Sequence, residues 1–147
     1  MTERTNRFVP YEMKSSLIKV LSYDDKGLRG LLQNPFFPEE QYFENLTQFL
    51  MLMEWLLDEL QFPQRGVEIR VFDQQGAQPA WAGRLPPAYT GKRPIATFRV
   101  SVLFRQNASW QGSILWADRG TEAQFRSALE LIGLMDSALS AALEEKT

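Results

Sequence analysis

The chain has 147 residues, of which 44% are hydrophobic and 23% charged, with a formal net charge of −2. That is an ordinary globular composition, long enough for a single domain with a sizeable core and without the low hydrophobicity of disordered chains. Cysteine and histidine are both absent, which excludes thiol nucleophiles, imidazole bases, zinc sites built from Cys and His, and a Ser-His-Asp triad; carboxylate acid–base chemistry and a carboxylate-only Mg²⁺ or Ca²⁺ site stay open.

Residues 1–15 carry mixed charges. Glu3, Arg4, Asn6 and Arg7 stand where a secretory signal would have an apolar core, so a cytoplasmic location is expected. Residues 16–23 read as a strand. Asp24, Asp25, Lys26 and Gly27 form a turn by composition, and residues 28–33 return as a second strand, giving a hairpin. Asn34-Pro35 ends it. Pro38, Glu39 and Glu40 are then expected to open a helix, because proline suits a first turn and acids favour the positive end of the helix dipole.

In that helix Phe43, Leu46, Leu50, Met53, Leu57 and Leu60 recur at helical spacing, and Phe49, Leu52, Trp55 and Leu56 widen the stripe beyond one face. A stripe so wide implies cover on more than one side. Phe49, Leu52, Trp55 and Leu56 are therefore candidate contacts to a partner protein or a second copy of the chain. Residues 49–57 are the longest apolar run; Glu54 interrupts it, and it falls short of the roughly 18–20 residues that cross a bilayer.

Phe62-Pro63 stops the helix. Residues 67–72 alternate as a half-buried strand, and residues 74–94, rich in Gly and Pro, read as loop with a short strand near Trp81. Residues 95–105 form a long strand with Phe98, Val100, Val102 and Phe104 on one face. Asn107-Ala108 is a turn, and residues 110–116 are the hairpin partner. Thr121 to Gln124 fits a capping box, so a second helix is expected there, with Phe125, Ala128, Leu129, Ile132, Met135, Leu139, Ala142 and Leu143 as its stripe. Gly133 within it implies close approach of another element.

Laid over itself with Val20 on Val102, the chain matches without a gap. In that register Leu21 meets Leu103, Gly30 meets Gly112, Glu40 meets Glu122, Phe43 meets Phe125, Leu52 and Met53 meet Leu134 and Met135, and Leu57 meets Leu139. An internal repeat is the first thing to seek in a fold. The expectation is an α+β fold in which one antiparallel sheet carries two amphipathic helices on one face. It would be a ββα duplication with an approximate two-fold axis, made of residues 16–60 and 95–143 joined by 61–94 in a single domain.

Charge is segregated as well. Residues 74–117 contain no Asp or Glu, but hold Arg84, Lys92, Arg93, Arg99 and Arg105, together with Trp81, Tyr89, Phe98, Phe104, Trp110 and Trp116. Cations mixed with aromatics can track a phosphate backbone and stack bases, so these five cations are candidate contacts to nucleic acid or another anionic ligand. Alternatively, Arg99 and Arg105 pair with acids on the helices. Asp24 with Asp25, and Glu39 with Glu40, are explained by a solvated turn and a helix start, and no Gly-rich phosphate loop is present. No metal, cofactor or catalytic group is indicated.

Two resemblances follow from residues 104–131. Asn107-x-Ser109-x-x-Gly112 resembles half of the signature of PilZ domains, which bind cyclic di-GMP. The other half, Arg-x-x-x-Arg, is missing: Arg65 and Arg70 are five apart, and Arg99 and Arg105 are six apart. The Ser109-Trp110-Gln111-Gly112 hairpin and the segment Phe125-Arg126-Ser127-Ala128-Leu129-Glu130-Leu131 are similar to those of a group of small bacterial proteins of unknown function. That resemblance implies no activity and no site. The reading that follows is a non-enzymatic binding protein whose partner is another protein or itself; the alternative is an anionic ligand at the basic window.

Overall fold

The computed structural model describes residues 9–25, 27–66, 70, 72 and 85–145. It is an α+β fold with six antiparallel strands and two helices: β1 (Ser16–Asp24), β2 (Gly27–Gln33), β3 (Gln41–Phe43), α1 (Leu46–Leu60), β4 (Ala96–Phe104), β5 (Gln111–Trp116), β6 (Thr121–Phe125) and α2 (Ala128–Glu144). The strand order is β3-β2-β1-β4-β5-β6, so the two longest strands, β1 and β4, lie at the centre and pair antiparallel, Leu17 opposite Arg99. No described helix is long and apolar enough to cross a membrane.

Period-two alternation in the strands produces one apolar face. Ile18 and Val20 on β1, Leu28 and Leu32 on β2, and Ala96, Phe98, Val100 and Val102 on β4 are buried in a single cluster. The same cluster contains Leu52, Met53 and Leu56 from α1 and Leu131, Met135 and Leu139 from α2. Most of α1 meets β2 and β3, whereas α2 meets β4, β5 and β6. On the opposite face Leu21, Leu31 and Tyr42 form a small second cluster, with Leu85 and Tyr89 packed against it.

Each half holds one more strand than the hydrophobic pattern predicts. Pro38 to Glu40 do not open a helix. β3 follows, with Phe43 paired to Gly30, and α1 starts at Leu46 behind Asn45. The Asn45 side chain accepts from the Gln48 amide at 2.8 Å, while the Gln48 side chain accepts from the Glu44 amide. Likewise Thr121 to Gln124 is no capping box but part of β6, paired residue by residue with β5. The cap of α2 is Ser127, whose Oγ accepts from the Glu130 amide at 3.1 Å, and Glu130 accepts from the Arg126 amide. Both helices thus begin with a cap and a reciprocal side chain three residues on.

The matched positions extend to the backbone. Gly30 lies between Val20 and Phe43, and its counterpart Gly112 lies between Val102 and Phe125. A register shift follows Val20 in β1 and Val102 in β4. The second shift turns Phe104 out of the apolar face expected for it, and it is 53% exposed. A Cβ on Gly30 would come within 2.4 Å of the Lys19 carbonyl oxygen, and one on Gly112 within 1.9 Å of the Ser101 carbonyl oxygen. Glycine is required at both positions because neighbouring backbone occupies the space.

Three further expectations need correction or placing. Gly133 marks no close approach, since a Cβ there would meet nothing within 4 Å. Leu129 lies off the buried stripe of α2 and is exposed. The strands expected over 67–72 and near Trp81 fall almost wholly outside the described residues. The Asn107-Ala108 turn is present as expected, with φ of 56° and 57° and a Ser109 amide bond to the Gln106 carbonyl, the type I′ geometry of a tight hairpin.

The glycines yield a paired prediction. Gly133→Ala should raise stability by about 1 kcal/mol through helix propensity, whereas Gly112→Ala should lower it by about 2 kcal/mol or more through backbone overlap. Urea unfolding of both variants checks this; equal effects would contradict the register of β4 with β5.

Candidate functional site

A cluster of charged side chains lies where the end of β4 meets α1. Glu54 and Asp58, four residues apart, share a face of α1. Arg105, only 4% exposed, places Nη1 3.1 Å from Glu54 Oε2 and 2.7 Å from Asp58 Oδ1. Its Nε donates to the Pro63 carbonyl at 2.7 Å. Arg65 pairs with the Asp58 carboxylate and approaches Glu54 at 3.5 Å. Trp110 Nε1 donates to Glu54 Oε1 at 2.8 Å. Two cations and two anions balance, and both carboxylates are held by cations, so neither is a free base. Burial alone would raise the Asp58 pKa, but hydrogen bonds and charge from Arg65 and Arg105 together outweigh it and hold the carboxyl below its ordinary value.

This cluster joins the first and second halves of the sheet, because α1 packs on β2 and β3 and Arg105 follows β4. A second tie joins the positions matched to its members. Tyr23 of β1 is the counterpart of Arg105, and Asp136 of α2 the counterpart of Glu54. The Tyr23 hydroxyl donates to Asp136 Oδ1 at 2.5 Å. That bond, together with burial and the Asp136 charge, raises the Tyr23 pKa.

The residues that the sequence offers as contacts are dispersed. Phe49, Leu52 and Leu56 are fully buried against the sheet within one chain, so the wide stripe of α1 finds its cover internally. Trp55 is partly buried, stacked on Phe37 at 6.0 Å with Phe36 at its edge. Among the cations, Arg105 is removed from any anion surface by its pairing with Glu54 and Asp58, as the helix-pairing alternative anticipates. Arg99 does not pair with a helix acid in this way; it is exposed on the outer sheet face, with Nη1 3.3 Å from Ser15 Oγ. Lys92 and Arg93 are exposed on the loop before β4, Lys92 over the Tyr89 ring. Arg84 lies outside the described residues. Phe98 and Trp110 are core residues, so the basic window does not present them for base stacking.

What the pattern of apolar residues does not reveal is a half-open pocket of about 220 Å³ between α2 and the sheet. Phe98, Ile114 and Trp116 line it from β4 and β5, Thr121 and Ala123 from the edge strand β6, and Leu134, Ser137 and Ala138 from the helix. Its origin lies in the difference between the halves. At the matched positions of the first half, Trp55 and Leu56 stand in place of Ser137 and Ala138, and Phe36 and Phe37 in place of the turn residues Asp118 and Arg119. In the first half these large groups pack together and against the core. In the second half the small residues leave space.

No ionised side chain lines the cavity. Both hydroxyls donate to backbone carbonyls, Ser137 to Leu134 and Thr121 to Arg119. The Trp116 Nε1 is shut off from water and has no hydrogen-bond partner among the described residues. Asn34, its matched position, is by contrast fully used: Nδ2 donates to the Met13 and Ser15 carbonyls and to Ser16 Oγ, and Oδ1 accepts from the Phe36 amide. At the rim the Arg119 guanidinium lies 4.6 Å over the Trp116 ring and pairs with Glu145. Among the described residues no group of acids is placed to hold a metal ion. Comparison with protein-family models, with curated proteins and with solved structures finds no match.

Arg105→Ala should cost about 3 kcal/mol or more, because Glu54 and Asp58 then keep buried charge with one cation fewer. The depressed Asp58 pKa adds stability that is present above the ordinary carboxylate range and lost as pH falls through the folded value. Chemical unfolding at pH 7 and at pH 3 should therefore show an acid loss that shrinks in Asp58→Asn; an unchanged loss would place the acid-sensitive group elsewhere.

Proposed function

We propose that the protein is a non-enzymatic binding domain formed by duplication of a βββα unit, and that the two copies have divided their roles. The first copy is packed solid. The second takes an apolar group into the cavity between α2 and β4–β6. The observation that carries this reading is the pairing of matched places with opposite filling, Trp55 and Leu56 against Ser137 and Ala138.

Support for duplication with an approximate two-fold comes from independent features at one displacement. They are the glycine pairings, the register shifts, the two caps, and the reciprocal ties Arg105–Glu54 and Tyr23–Asp136. Support for binding comes from energetics. The pocket opens to solvent past the exposed Thr121 and Ser137, so an apolar occupant would gain by displacing water from the apolar lining. Its apolar lining and small number of polar groups match the usual character of ligand sites.

Protein–protein or self-association through Phe49, Leu52, Trp55 and Leu56 is less favoured, since three of the four are interior. Binding of nucleic acid or another anion retains Lys92, Arg93 and Arg99 as exposed cations, but Phe98 and Trp110 of that window are core residues.

The deciding variant is Ala138→Leu, which copies Leu56 into the second half. It should raise stability by about 1–2 kcal/mol through added buried carbons and abolish uptake of ethylbenzene measured by NMR titration. Uptake that survives the filled cavity would place binding elsewhere.

A further inference from the structure

We infer that the occupant of the pocket beside α2 is an extended peptide segment of another protein, which adds to β6 as a further strand and turns an apolar side chain into the pocket next to a basic one. The inference rests on the binding reading above and adds the partner.

The backbone of β6 sets the geometry. The Ala117 amide donates to the Thr97 carbonyl at 2.9 Å, and bonding alternates along an antiparallel pair. Leu115 and Ser113, opposite Arg99 and Ser101, therefore bond to β4 as well, while Trp116, Ile114 and Gly112 turn to β6. Their partners Thr121, Ala123 and Phe125 use their amides and carbonyls on β5. Glu122 and Gln124 point theirs away from the sheet, at the end of the strand order, and both residues are exposed. Two ladder positions are thus open on β6. The other edge offers less. Carried across β4, β1 and β2, the same alternation leaves Tyr42 alone on β3, and its ring packs beside Tyr89. The Glu44 amide beyond it is taken by the Gln48 side chain.

The pocket lies at the same edge. Thr121 and Ala123, on the inner side of β6, line it together with Leu134, Ser137 and Ala138 of α2, and it opens past Thr121 and Ser137. A residue bonded to Glu122, antiparallel like the other strand pairs, carries its side chain on the outer side. The residues before and after it point inward, opposite Thr121 and Ala123. One of these enters the pocket, whose volume of about 220 Å³ exceeds the roughly 150 Å³ that holds a benzene ring. Glu122 faces the outer side chain. It is the one charge within β6 and makes no ion pair among the described residues, so the side chain that complements it is Lys or Arg. An edge of five residues is too short to hold a strand by backbone bonds alone. The pocket supplies the rest: in strand addition main-chain bonds give affinity, and pockets for alternate side chains give specificity.

The test titrates the capped peptide acetyl-Thr-Phe-Lys-Val-Thr-amide into the full chain, read by backbone NMR and amide exchange. Binding should slow exchange of the Glu122 and Gln124 amides and move both resonances downfield. Methylating the lysine amide nitrogen of the peptide should weaken binding about tenfold by removing one backbone bond. Glu122→Lys should weaken the lysine peptide and favour its glutamate counterpart, each by about threefold. Ala138→Leu, which fills the pocket, should abolish peptide binding. Ethylbenzene uptake, which requires only the pocket, is measured alongside. Ethylbenzene binding without peptide binding overturns the peptide inference and leaves the pocket reading standing. Binding of neither overturns both. Peptide binding that leaves exchange at Glu122 and Gln124 unchanged, or that tolerates the N-methyl group, overturns strand addition. Slowed exchange that grows with protein concentration in the absence of peptide assigns the edge to a second copy of this chain and also overturns the inference.

Discussion

The pairing of β1 with β4 is the constraint on which everything else depends. Without it each half would be a three-stranded sheet with one helix, exposing a long apolar strand at its edge. Joining the two longest strands antiparallel, with Ile18 opposite Phe98 and Val20 opposite Ala96, removes both edges and merges two small cores into one. The outer edges that remain are β3 and β6, three and five residues long, and short edges are what an open sheet needs to avoid adding further strands. The ties at Arg105 and Tyr23 reinforce the seam from above, since each runs from a central strand of one half to the helix of the other. A buried ion cluster of this kind adds little to stability relative to apolar packing. Its use here is geometric: Arg105 can satisfy Glu54, Asp58 and the Pro63 carbonyl at once only when α1 and β4 are in one relative position.

The central strands and both hairpins were legible because alternation over long strands is a strong signal. The edge strands were not, for a physical reason common to both halves. Pro38-Glu39-Glu40 and Thr121-Glu122-Ala123-Gln124 each imitate a helix start, yet the backbone amides of β3 and β6 find partners in β2 and β5, and a ladder of such bonds outweighs a local cap. The match of the chain with itself contained the correction. Asn45 with Gln48, and Ser127 with Glu130, are cap signatures at matched positions, and only these agree between the halves. A feature that recurs at the repeat spacing is better evidence for a boundary than one that is locally stronger but occurs once.

The candidate contacts were less legible than the fold. Width of an apolar stripe distinguishes neither a partner nor an internal cover, and for α1 the cover is supplied by Phe36, Phe37 and the sheet. Cations in an acid-free window of sequence are not free of acids in space, because the sheet places Arg105 beside α1. Composition along the chain records neither fact. Long-range contacts decide both.

The cavity follows from the same logic applied to differences instead of identities. Gly30 and Gly112, Phe43 and Phe125, and Leu57 and Leu139 agree at one displacement. Leu56 with Ala138, Trp55 with Ser137, and Asn34 with Trp116 differ at the same displacement. In the second stretch Ser137, Ala138 and Trp116 all line the pocket between the helix and the sheet, although they come from separate parts of the chain. Ser137 and Ala138, where the matched positions hold Trp55 and Leu56, leave that space open. On the binding reading proposed above, that open volume is where an apolar group would sit.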